Sequence, residues 1–211
     1  MKCNYATVNA SCLAKIWNDN FDYLSTALSY SFVSNEWAYI KYDYTLPENI
    51  TVPSGKTVQC YGNITVPNGK KLGCGSNSIV NMNSNKTITI QGSGELELSG
   101  GVNLTKIPGG SNWSGVYIGS GGIFDVDGSI TIEYATVGID ITGNGNSIDN
   151  GTNVINISNC IWGANVYEHN GTLKHLNISN CTSGILVEGT SLTPTLQRNT
   201  ITTPTKLCRI Y

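Results

Sequence analysis

Charge is what this sequence has least of. Only 12% of its 211 residues are Asp, Glu, Lys or Arg, about half the usual share, and its arginines are Arg198 and Arg209 alone. Twelve basic residues against 14 acidic ones leave a net charge of -2. That balance excludes a basic surface for nucleic acid or for an anionic membrane. No run of 18 apolar residues is present to insert into a bilayer as a helix, and no collagen triplet recurs. Behind Met1, Lys2 and Cys3 there is no apolar stretch of the kind a secretory signal needs. Among the seven cysteines there is no Cys-x-x-Cys pair, and His169 and His175 stand far from most of them, so a zinc site has little support.

What fills the chain instead is Asn, Thr, Ser and 24 Gly around regularly recurring Ile, Val and Leu. The small net charge and the repeated branched aliphatics argue for a packed core and against disorder, and the length suffices to bury one in a single domain. Polarity supplied by amides and hydroxyls, with few Lys and Glu, is the expectation for an extracellular or cell-surface protein of which this chain is a piece.

Internal repeats carry the strongest signal. Residues 49–62 read NITVPSGKTVQCYG and residues 63–76 read NITVPNGKKLGCGS, a 14-residue repeat of strand, Pro-Ser-Gly or Pro-Asn-Gly turn, and strand. A longer unit follows: ITIEYATVGIDI from Ile130, INISNCIWGANV from Ile155 and LNISNCTSGILV from Leu176. Side chains of a strand alternate, so Ile130 and Ile132, Ile155 and Ile157, and Leu176 and Ile178 point to one side, and Thr131, Asn156 and Asn177 to the other. Stacking the units buries the first set as ladders. Gly138, Gly163 and Gly184 fall at a shared bend, where glycine permits positive φ.

Coils of 20 to 25 residues made of short strands resemble the right-handed single-stranded parallel β-helix of the pectate-lyase-like superfamily. The resemblance runs from about Asn49 to Thr202 and includes NWSGVYIGSGG at residues 112–122, similar to a Trp-x-Gly-Ile motif of many extracellular members. It implies an all-β solenoid and says little of activity, because the superfamily houses lyases, glycoside hydrolases, tailspikes and adhesins. Ten of the 18 aromatics lie before residue 45, and Leu13, Ile16, Trp17, Phe21, Leu24 and Leu28 have helical spacing behind Ser11 as N-cap. Residues 1–45 are therefore expected to form a helical, aromatic cap, and residues 46–211 the β-helix of the same domain.

Asp125 and Asp127 in GIFDVDGS are the candidate catalytic pair. With Phe124 and Val126 facing inward, the two carboxylates point outward about 6.6 Å apart, suited either to Ca²⁺ and acid/base work or simply to keeping a strand face wet. Glu133 and Asp140 are expected to join them if the coil register aligns. The basic partner a pectate lyase uses is missing from their neighbourhood, and so are the Asp-Asp, Gly-His-Gly and Arg-Ile-Lys signatures of polygalacturonases. Trp113, Tyr117 and Tyr134 could stack on sugars or pack under loops; with Glu133 and Asp140 they are the ligand-binding candidates. Cys60 with Cys74, and Cys160 with Cys181, hold equivalent places in successive repeats, so each pair is expected to stack about 4.8 Å apart, as a disulfide or as reduced core residues. The function expected is a non-catalytic structural or adhesive module binding a glycan, with no cofactor required and Ca²⁺ the one candidate. The alternative is a polysaccharide lyase or glycoside hydrolase. An acidic cluster completed by a basic residue from an adjacent coil would favour the enzyme.

Overall fold

The computed structural model describes residues 38–189, 194–202 and 208–210. The helix expected within residues 1–37 lies outside them. Every element among the described residues is a strand. The first coil holds β1 (Ala38–Ile40), β2 (Tyr44–Thr45) and β3 (Ile50–Val52), so strands begin within the segment assigned to the cap. The second holds β4 (Thr57–Cys60), β5 (Ile64–Val66) and β6 (Lys71–Cys74), and the third β7 (Ile79–Met82), β8 (Thr87–Ile90) and β9 (Glu95–Ser99). In the fourth are β10 (Asn103–Lys106), β11 (Gly115–Ile118) and β12 (Ile123–Asp127); in the fifth, β13 (Ile130–Glu133), β14 (Val137–Thr142) and β15 (Ser147–Asp149). The sixth has β16 (Ile155–Ser158), β17 (Trp162–Tyr167) and β18 (Thr172–Lys174), and the seventh β19 (Leu176–Ser179), β20 (Ser183–Glu188) and β21 (Thr195–Gln197). β22 (Thr200–Thr202) and β23 (Cys208–Ile210) begin an eighth.

Each strand pairs in parallel with its counterpart one coil away, which makes the chain a parallel β-helix. The first sheet runs β1-β4-β7-β10-β13-β16-β19-β22 and the second β2-β5-β8-β11-β14-β17-β20-β23. The third runs β3-β6-β9-β12-β15 and then breaks; β18 and β21 pair only with each other. The expected columns are present: Ile130, Ile155 and Leu176 are partners, as are Ile132, Ile157 and Ile178, all buried. Each such side chain taken out of water contributes about 1.5–3 kcal/mol before the entropic cost of ordering. On the opposite face Asn177 donates from Nδ2 to Asn156 Oδ1 at 2.9 Å, and Asn156 donates from Nδ2 to the Ile130 carbonyl at 3.1 Å.

Three expectations are corrected. The two 14-residue units do not stack on each other. Their copies of Asn-Ile-Thr-Val fall on the third sheet (β3) and the second (β5), so 14 residues advance the chain by two of its three faces. Cys60, on the first sheet, is therefore flanked by Ile40 and Met82, and Cys74, on the third, by Val52 and Leu98; they do not stack on each other. The glycines at the shared bend do not have positive φ, and Gly138 and Gly163 serve close approach instead. A Cβ on Gly138 would strike Ile157 Cγ2 and the Gly163 carbonyl, and one on Gly163 would strike Ile178 and the Gly184 carbonyl. Positive φ sits a few residues earlier, at Tyr134 (56°), Asn159 (57°) and Asn180 (53°).

Candidate functional site

The third sheet gathers the charge. Along β6, β9 and β12 the apolar residues Leu72, Leu96, Leu98, Phe124 and Val126 are buried, which turns Lys71, Glu95, Glu97, Asp125 and Asp127 outward. Register places Lys71 beside Glu95, and Gly73, Glu97, Asp125 and Asp149 in one row. Lys71 Nζ lies 2.9 Å from Glu95 Oε1 and 2.9 Å from Glu97 Oε2. Carboxylate oxygens of Glu95, Glu97 and Asp125 all lie within 4.8 Å of one another. Partial burial, then the charges of Asp149, Glu97 and Glu95, push the Asp125 carboxyl above its ordinary value, with Lys71 opposing. Hydrogen bonds to Glu95 and Glu97 raise the Lys71 ammonium.

Asp125 is thus in the cluster, whereas Asp127 is exposed with Ser99 as its partner and stays outside it. Glu133 and Asp140 do not join: they belong to β13 and β14, on the first and second sheets. The acidic neighbours are Glu95, Glu97 and Asp149, and the basic residue is Lys71, none of which sequence reasoning selected. Their signal was the alternation in KLGC, ELELS and IFDVD, which assigns a face but not a register.

Trp113 is no stacking platform. It is fully buried, its backbone bridges to Ala135, and its indole Nε1 donates to the Glu133 carbonyl at 2.9 Å. The tryptophan of the motif fills the corner between first and second sheets because a large side chain there closes the core. Tyr134 is half-buried, and Lys106 Nζ stands 4.9 Å from its ring centroid. Glu133 accepts from Asn103 Nδ2 at 3.1 Å. Tyr117 and Asp140 do meet. They are register partners on the outer face of the second sheet, in a row with Thr45, Thr65, Thr89, Asn165 and Leu186. Asn165 Nδ2 donates to Asp140 Oδ1 at 2.9 Å, while burial raises the Asp140 carboxyl against that bond.

The fold and these rows define a class, an all-β parallel solenoid with one charged and one polar, partly aromatic face. No family model matches the chain, and no curated protein or solved structure matches it.

Proposed function

We propose that this chain is a non-catalytic structural or adhesive module of an extracellular or cell-surface protein, with a glycan as its ligand. The observation that carries the reading is the flatness of the outer faces. Among the described residues the segments between strands are one to eight residues long, and the longest, between β10 and β11, tucks Trp113 into the core. Among the described residues no long loop rises beside a sheet to wall a cleft that would exclude water and hold a bond for cleavage. A flat row of Thr65, Thr89, Tyr117, Asp140 and Asn165 instead offers hydroxyl, amide and carboxylate groups beside one aromatic ring, the chemistry that meets a hydroxyl-rich polymer. A panel of neutral and acidic polysaccharides, scored for binding and for chain cleavage, tests this. Binding without cleavage, weakened about tenfold in Tyr117→Ala, is expected; release of oligosaccharides would overturn the reading.

Lys71, Glu95, Glu97 and Asp125 favour a second reading, a polysaccharide lyase or glycoside hydrolase. Three close carboxylates suit a hard cation such as Ca²⁺, which Glu95, Glu97 and Asp125 would hold and which would neutralise an acidic substrate. Against it, the Lys71 ammonium already bridges two of the three, so a cation has to displace it. Cleavage that requires Ca²⁺ and disappears in Asp125→Asn would establish the enzyme.

A further inference from the structure

Four described cysteines are buried as free thiols. Cys60 and Cys74 lie on different sheets. Cys160 and Cys181 share the corner between the first and second sheets, one coil apart. The pairing of β16 with β19 matches Ile157 to Ile178 and Ser158 to Ser179. It continues past the strands, with the Asn159 amide donating to the Ser179 carbonyl at 3.3 Å and the Thr182 amide to the Cys160 carbonyl at 3.1 Å. The two cysteines therefore stand one rung apart, about 4.8 Å between Cα atoms, inside the span a disulfide bridges. Their side chains take the same pose: Cys160 Sγ lies 3.3 Å from the Ser158 carbonyl and Cys181 Sγ 3.4 Å from the Ser179 carbonyl. Cys181 Sγ also leans toward the lower coil, 3.9 Å from the Ile157 carbonyl. The mutual interaction of the two thiols pushes Cys160 up and draws Cys181 down, against the opposing effect of burial on Cys181. Ile161 and Thr182, next along the chain, are exposed, so the pair sits one residue below the surface.

We propose that Cys160 and Cys181 are a disulfide-forming pair, an oxidation site that ties the sixth coil to the seventh. With hydrogen peroxide as the oxidant, the Cys181 thiolate attacks one peroxide oxygen, forming a sulfenic acid and expelling hydroxide. That hydroxide takes the Cys160 proton and becomes water. The Cys160 sulfur then attacks the Cys181 sulfur, and the second hydroxide leaves, becoming water with the proton Cys181 first released. Two thiols lose two electrons, and one peroxide is reduced to two waters.

The test uses the full chain, purified reduced, treated with stoichiometric peroxide, alkylated in denaturant and mapped by mass spectrometry. The expected product is a Cys160–Cys181 linked peptide lighter by two hydrogens, with Cys60 and Cys74 alkylated. The thermal midpoint should rise by roughly 5–10 °C and fall back on reduction. Comparing oxidised with reduced wild type avoids dependence on a variant that fails to fold, and Cys160→Ser should abolish the shift. Cys160 and Cys181 both still alkylated, either one linked to another cysteine or carried on to a sulfinic acid, or an unchanged shift in Cys160→Ser, would each overturn the proposal.

Discussion

Asp125 is flanked by carboxylates on two coils, Glu97 below and Asp149 above, with Lys71 neutralising only the lower side. Its folded-state pKa is above the ordinary 3.8. A carboxyl shifted upward holds its proton more tightly when folded, so the cost is absent below about pH 3.8 and grows as pH rises through the shifted value. Asp125→Asn should therefore be more stable than wild type at pH 7, by about 1–3 °C in thermal midpoint, and no different at pH 3. Lys71→Met should do the reverse at pH 7, since it leaves Glu95 and Glu97 facing each other without a counter-ion. Equal effects of Asp125→Asn at both pH values would show that the carboxylates do not repel. Seen in sequence alone, Asp125 was correctly placed outward by Phe124 and Val126. Its partners were not legible, because neighbours in a solenoid are set by coil lengths, and those vary.

At the scale of strands the same variation decides what could be read. From Ile130 to Ile155 to Leu176 the repeat is a whole coil, and the stacked columns follow from it directly. Between residues 49 and 76 the repeat spans two faces, and identical strand and turn chemistry on neighbouring sheets imitates a coil. Turn residues could not separate the cases, since Gly55 (φ 70°) and Gly69 (φ 69°) close the same turn on different faces. Trp113 was likewise visible as a motif but not as buried, because a corner faces inward or outward only once the sheets on both sides are known. The Asn156–Asn177 pair makes the stacking measurable. Asn177→Ala removes the donor to Asn156 Oδ1 and should cost about 1 kcal/mol, near 2–4 °C in midpoint. In a double-mutant cycle with Asn156→Ala the two costs should fall short of additivity by about 0.5 kcal/mol or more; strict additivity would mean the side chains stand side by side without coupling.

Over the whole molecule, stability is built coil on coil, and each interface between coils normally has three ladders. Among the described residues two ladders join the seventh coil to the unfinished eighth, and one interface between complete coils also has only two. β15 of the fifth coil and β18 of the sixth do not pair, although β13 with β16 and β14 with β17 do. Between residues 149 and 155 the fifth coil takes a wider corner than the sixth, where His175 alone joins β18 to β19. Asn150, fully buried, spans the step by donating from Nδ2 to the Asn153 and Lys174 carbonyls, both at 2.9 Å. One side chain thus replaces a strand ladder at this level. In a quasi-one-dimensional array the weakest interface is where the array divides, so the sixth and later coils should open as a unit at a lower free energy than the third to fifth. Native-state hydrogen exchange reads this directly. Amides of β16, β17, β19 and β20 are expected to exchange together, ahead of those of β8, β11 and β14, and Asn150→Ala should widen the gap by removing both hydrogen bonds. Uniform protection across β13 and β16, unchanged in the variant, would mean that two ladders hold the coils together as firmly as three.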